Sequence, residues 1–171
     1  MITLGVVVDV PEPYAERIRA ARRSWQDPEA DIIPPHITLV APVSIDIDVV
    51  PTVEAHLAAV CATAPSFAVH LRGTGTFRPL SPVVFLTVAQ GIAGCETLER
   101  QIRCGPLAVD LRFPYHPHVT IAAELPPHQL DRAYVDLGDF SARFDVEEVA
   151  LYVLGETGWK RRSAYTLGMS A

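Results

Sequence analysis

The strongest constraint on this chain is a repeat: Pro35-His36-Ile37-Thr38-Leu39 returns, nearly letter for letter, as Pro117-His118-Val119-Thr120-Ile121. Each copy alternates polar with aliphatic and β-branched residues, so each predicts a strand. Side chains on a strand take opposite faces in turn, which puts His36 and Thr38 on one face and Ile37 and Leu39 on the other. The second copy does the same. Each copy therefore presents an imidazole and a hydroxyl about 6 to 7 Å apart along one face, with aliphatic anchors behind. Pro34-Pro35 favours an extended backbone just ahead of His36.

Two such strands facing one cleft would surround a small anion with two imidazoles and two hydroxyls, an inventory that suits a phosphate ester. Opening a strained cyclic phosphodiester needs a base to activate water, an acid to protonate the departing ribose oxygen, and donors for the non-bridging oxygens. Histidine serves as either acid or base near neutral pH, and threonine hydroxyls can donate to the oxygens.

On these residues the chain resembles the two-histidine (2H) phosphoesterase superfamily, whose signature is a repeated H-x-T/S-x motif in hydrophobic surroundings. Within it the resemblance is to the bacterial 2′-5′ RNA ligase-like proteins, or cyclic phosphodiesterases. It implies a metal-independent enzyme that opens 2′,3′-cyclic phosphates of RNA ends or small nucleotides. His36 and His118 would divide the base and acid roles, in an order left open, and Thr38 and Thr120 would assist. The resemblance further implies a product carrying a 2′-phosphate, with 2′-5′ ligation as the reverse reaction. The rival reading is a non-catalytic nucleotide- or RNA-end-binding module on the same fold.

Other candidate substrate contacts flank the motifs. Phe77 and Arg78 lie in a loop that the family places near its cleft, so Phe77 is either a base-stacking platform or a cover for the core, and Arg78 a phosphate or ribose contact. Tyr115 and His116 stand just upstream of the second motif, where the family often has an aromatic or basic residue. His116-x-His118 is also a metal-ligand spacing, but no carboxylate, cysteine pair or H-x-x-x-H completes such a site, so no metal is expected. Arg161, within the run Lys160-Arg161-Arg162, either edges the groove or marks a solvated strand end. The chain departs from the family at Ala122-Ala123, where an arginine often follows the motif strand. That departure bears on substrate identity more than on chemistry.

Along the rest of the chain, apolar runs predict strands at Ile2 to Val8, 66 to 76, Val83 to Val88, around Phe140 to Phe144, Val149 to Leu154 and up to Leu167. Helical spacing predicts four helices: Tyr14 to Trp25 with Arg17, Arg19, Arg22 and Arg23 on a solvated basic face, one opened by Pro51, one over Ile92 to Ile102, and one opened by Pro126-Pro127. The fold expected is α+β, with two mostly antiparallel sheets and flanking helices around a central groove, residues 1–171 forming one bilobal domain.

A net charge of -6 argues against a protein that grips long nucleic acid through its backbone, and leaves a cyclic nucleotide or an RNA end as the partner. Cys61, Cys95 and Cys104 are odd in number and lack C-x-x-C spacing, which reads as reduced thiols in a cytoplasmic protein. No apolar run is long enough to span a bilayer, no phosphate loop, nucleophile elbow or dinucleotide fingerprint occurs, and no cofactor is implied. A monomer without membrane association is expected.

Overall fold

The computed structural model describes residues 1–168. Strands and helices follow in the order β1 (Ile2–Asp9), α1 (Tyr14–Ser24), β2 (His36–Ile45), α2 (Val50–Thr63), β3 (Phe67–Thr76), β4 (Val83–Gln90), α3 (Ile92–Ile102), β5 (His118–Ala123), α4 (Pro127–Asp136), β6 (Ser141–Val146), β7 (Glu148–Gly155) and β8 (Gly158–Thr166). The α+β class, the four helices and the motif strands match the expectation. No helix among the described residues is long and apolar enough to cross a membrane.

The expected two sheets are one. All eight strands join in the order β6-β3-β4-β5-β2-β1-β7-β8, and every neighbouring pair runs antiparallel. The physical reason is that the two motif strands pair with each other, through Ile37 and Val119. That single ladder step fuses β2-β1-β7-β8 to β5-β4-β3-β6, so each half begins at a motif strand and runs outward from the middle.

Alternation within the motif strands decides what lies on each side. Ile37, Leu39, Val119 and Ile121 are buried and enter one core with Ile18 of α1, Leu57 of α2, Leu98 of α3 and Leu130 of α4. Burying a side chain of this kind is worth about 1.5 to 3 kcal/mol. His36, Thr38, His118 and Thr120 alternate with them and stay half exposed on the opposite face.

Helix α1 departs from the solvated basic face expected of it. Arg22 is buried: its Nε donates to Asp27 at 2.7 Å and its Nη1 to the Ile33 carbonyl at 2.8 Å. The sequence pattern sets Arg22 among polar neighbours, but the chain after α1 folds back over it and supplies those acceptors. Arg17 lies over the Phe140 ring at 4.9 Å, and Arg19 and Arg23 pair with Glu12, Glu16 and Asp31. The Arg22 clamp fixes the segment that delivers Pro34, Pro35 and His36 to the sheet. Trp25, at the end of the same helix, donates from Nε1 to Asp136 at 2.8 Å and ties α1 to α4.

Arg22 and Asp27 are both over nine-tenths buried as side chains, so removing one partner strands a charge. Arg22→Met is expected to cost about 3 to 5 kcal/mol in urea unfolding. The double variant Arg22→Met/Asp27→Leu should recover much of that loss. Additive losses would show that the pair is not coupled.

Candidate active site

The register of β2 against β5 assembles the site. With Ile37 opposite Val119 in an antiparallel pair, His36 falls opposite Thr120 and Thr38 opposite His118. Each histidine thus faces the other copy's threonine, and the two histidines sit on a diagonal of about 7 to 8 Å between backbones. The residues that the repeat singled out are brought together on one open face.

The repeat extends to how each imidazole is held. His36 Nδ1 donates to the Pro34 carbonyl at 2.7 Å, and His118 Nδ1 donates to the His116 carbonyl at 2.6 Å. A carbonyl only accepts, so Nδ1 carries hydrogen in both rings and Nε2 is the nitrogen left to exchange protons with a substrate. Burial pulls both imidazoles below the ordinary histidine range. For His36 this is opposed by the Pro34 carbonyl and the Asp9 carboxylate, with Arg22 adding to it. For His118 the His116 carbonyl opposes it, while the nearby His116 and His36 rings reinforce it.

On the β5 side, aromatic rings buttress His118. The Phe77 ring meets the His118 ring edge-on at 5.0 Å and the His116 ring at 5.5 Å, and lies 4.5 Å from Phe85. Phe85 in turn reaches His118 at 5.3 Å. Gly75 makes this possible, since a Cβ there would stand 2.6 Å from the Phe85 ring. Phe77, His116 and His118 therefore form one cluster. Tyr115 turns inward instead, donating its hydroxyl to the Thr38 carbonyl at 2.9 Å and bracing β2. Arg78 is bound to Asp131 at 2.8 Å, across on α4. Among the described residues no group of three or more His, Cys, Asp or Glu is arranged to hold a metal ion.

On the β2 side the structure adds residues that the sequence did not flag. Asp9 pairs with His36 across β1 and β2. Its carboxylate accepts from the Tyr152 hydroxyl at 3.1 Å and pairs with Arg161 at 3.7 Å, and Arg161 also binds Glu148. Burial still raises the Asp9 pKa above the usual carboxylate value, and pushes Tyr152 up to about 12. Beside this network a cavity of about 190 Å³ is lined by His36, Thr38, Gly5, Tyr152 and Trp159 among others. A smaller recess of about 160 Å³ joins His36 and Thr120 to Ala122, Ala123 and Arg22. Arg22 thus shares this recess with Ala122 and Ala123, where the resemblance leads one to expect an arginine. The one sequence signal for the β2 wall was a tryptophan placed directly after the Gly155-Glu156-Thr157-Gly158 turn.

Comparison with known proteins identifies the chain's family. Residues 10–158 match the family model described as the 2′-5′ RNA ligase superfamily. A protein of Geobacillus kaustophilus, a phosphoesterase by name, is 26% identical over 168 residues, covering 96% of this chain and 95% of its own length. One of Halalkalibacterium halodurans with the same designation is 24% identical over 174 residues, covering 96% of each. Among solved structures, E. coli LigT complexed with NADP+ superposes with a TM-score of 0.66 at 21% identity over 98% of both chains. The same protein complexed with 3′-AMP gives 0.67 at 21% identity, again over 98% of both. With the family model spanning most of its length and both histidine motifs inside the match, the chain belongs to the 2′-5′ RNA ligase superfamily of two-histidine phosphoesterases.

Proposed function

We propose that the protein hydrolyses 2′,3′-cyclic phosphates of small nucleotides or RNA ends, with His36 and His118 as the acid–base pair. The observation that carries this reading is the matched pair of imidazoles, each with Nδ1 tied to a backbone carbonyl and Nε2 left free, each opposite a threonine of the other motif. The NADP+ and 3′-AMP complexes of LigT support a nucleotide in a fold of this kind.

In the working form one histidine is neutral and takes a proton from water as the water oxygen bonds to phosphorus. The other is protonated and gives its proton to the ribose oxygen as the P–O bond to it breaks, leaving a monoester and a free hydroxyl. Thr38 and Thr120, whose side chains make no hydrogen bond among the described residues, donate to the non-bridging oxygens where charge accumulates. Phe77 and His116 rim the substrate on the β5 side, Tyr115 steadies the Thr38 strand, and Arg78 and Arg161 stand at the margins as candidate contacts for the anion. With a 5′-hydroxyl in place of water, the same groups would join two RNA ends: the 5′ oxygen bonds to phosphorus as the bond to the 3′ ribose oxygen breaks, leaving a 2′-5′ linkage and a free 3′-hydroxyl.

Replacing either histidine by Ala is expected to cost about 10²- to 10⁴-fold in kcat/KM on a 2′,3′-cyclic nucleotide. Thr38→Val or Thr120→Val should cost about 10- to 10³-fold. The double histidine variant should be little worse than the poorer single, because both groups act in one concerted step. EDTA should leave the rate unchanged. Folded histidine variants with normal turnover would discard the reading in favour of a binding module.

The pH profile has a definite sign. In kcat/KM the acid limb reports loss of the neutral base and the alkaline limb loss of the protonated acid, both in the free enzyme. Both imidazoles are displaced below 6.5, so the bell should peak on the acid side of pH 6.5, with apparent values belonging to the pair. A bound phosphate anion favours imidazolium, so the kcat profile should sit at higher pH than the kcat/KM profile. A kcat/KM maximum above pH 7 would contradict the assignment.

A further inference from the structure

Two walls flank the histidines, and they are not equivalent. On the β5 side the Phe77 ring has Phe85 at 4.5 Å and stands T-shaped to the rings of His116 and His118 at 5.5 and 5.0 Å, separations that leave no slot for another flat ring between them. On the β2 side the 190 Å³ cavity is open. Its floor is Gly5, Val7 and Val40, its outer wall Tyr152 and Trp159, and Ile33 and Pro34 form the opposite rim. Gly5 matters because it brings no side chain to that floor: a Cβ there would already lie 3.9 Å from the Trp159 ring. The cavity runs continuously into His36 and Thr38, which belong to both.

We propose that this groove seats the nucleobase of the nucleotide whose phosphate lies between His36 and His118, with Trp159 and Tyr152 as its aromatic wall. The inference rests on the phosphodiesterase reading above. Its size suits the occupant, since a cavity of about 150 Å³ holds a benzene ring. Its chemistry suits a base and not a phosphate, because no Lys or Arg lines it. The polar group most able to read a base edge, the Tyr152 hydroxyl, is already spent on Asp9. Recognition is therefore by stacking and apolar contact, which every base satisfies, so the groove distinguishes nucleotides from base-free phosphodiesters more than one base from another.

The test compares 2′,3′-cyclic AMP with a base-free analogue, the methyl riboside 2′,3′-cyclic phosphate. Wild type should prefer the nucleotide. In Trp159→Ala, which removes the wall, and Gly5→Leu, which fills the floor, the ratio of kcat/KM between the two substrates should fall about 5- to 100-fold, carried by KM. Melting temperatures measured beside the rates separate loss of fold from loss of the subsite. A wild type indifferent to the base, or folded variants that lose activity on both substrates in proportion, overturns the proposal.

If wild type hydrolyses neither substrate, the phosphodiesterase reading falls, and the subsite is read instead by tryptophan emission on adding adenosine 3′-phosphate. Trp25 is buried in the core, so quenching reports Trp159. Quenching by the nucleotide and not by inorganic phosphate supports the groove; no quenching by the nucleotide overturns it.

Discussion

The pairing of Ile37 with Val119 is the contact on which the rest of the molecule depends. It makes one sheet from two halves and, in the same step, sets His36 and His118 on a common face. Register there is enforced by burial rather than by many hydrogen bonds. A slip of one residue would turn the imidazoles into the core and bring Ile37 and Val119 out to water. Both aliphatic residues have no exposed surface, so the slip would forfeit several kcal/mol of apolar burial and strand polar rings among Ile18, Leu57 and Leu98. The anchors between the motif histidines and threonines are thus what holds those side chains in place.

The electrostatics around that seam follow from an acidic chain. Arg22, Arg78 and Arg161, the arginines nearest the site, are each engaged by a carboxylate. For the proposed anionic substrate, positive charge beyond these paired arginines would enter by protonating a histidine. Burial holds both histidines toward the neutral form. Anion binding and proton uptake are then linked, since each favours the other. Asp9, across the ladder from His36, offsets part of the burial cost of charging that ring and is itself steadied by Tyr152.

What the sequence disclosed tracks how local the signal was. The motif strands, the helix openings at Pro51 and Pro126-Pro127, and the shared face of His36 and Thr38 all depend on neighbours a few residues away. The aromatic cover of His118 was half visible, because Phe77 stands in a loop beside a hairpin. The β2 wall shows in the sequence only as the tryptophan after the last turn: Gly5, Trp159 and the Asp9–Tyr152 bond join positions more than a hundred residues apart across three strands. Arg22 is hidden for a different reason: its partners Asp27 and Ile33 are close in sequence but lie in a loop with no periodic pattern. The number of sheets turned on a single residue pair, which no strand pattern encodes.

The two halves repeat one device and use it differently. Each places a glycine where an aromatic ring lies close over the sheet, Gly75 near Phe85 and Gly5 near Trp159. In one half the rings close on His118; in the other they leave a cavity beside His36. In the proposed reaction the symmetric frame would supply two equivalent proton carriers, and the asymmetric walls would give the substrate a direction. In a displacement at phosphorus the entering and leaving oxygens lie roughly in line on opposite sides. A nucleoside held in the cavity would keep its ribose on the His36 side, so His36 would be the ring placed to protonate the departing oxygen. His118, across the phosphorus and braced by Phe77 and Phe85, would be the one placed to activate water.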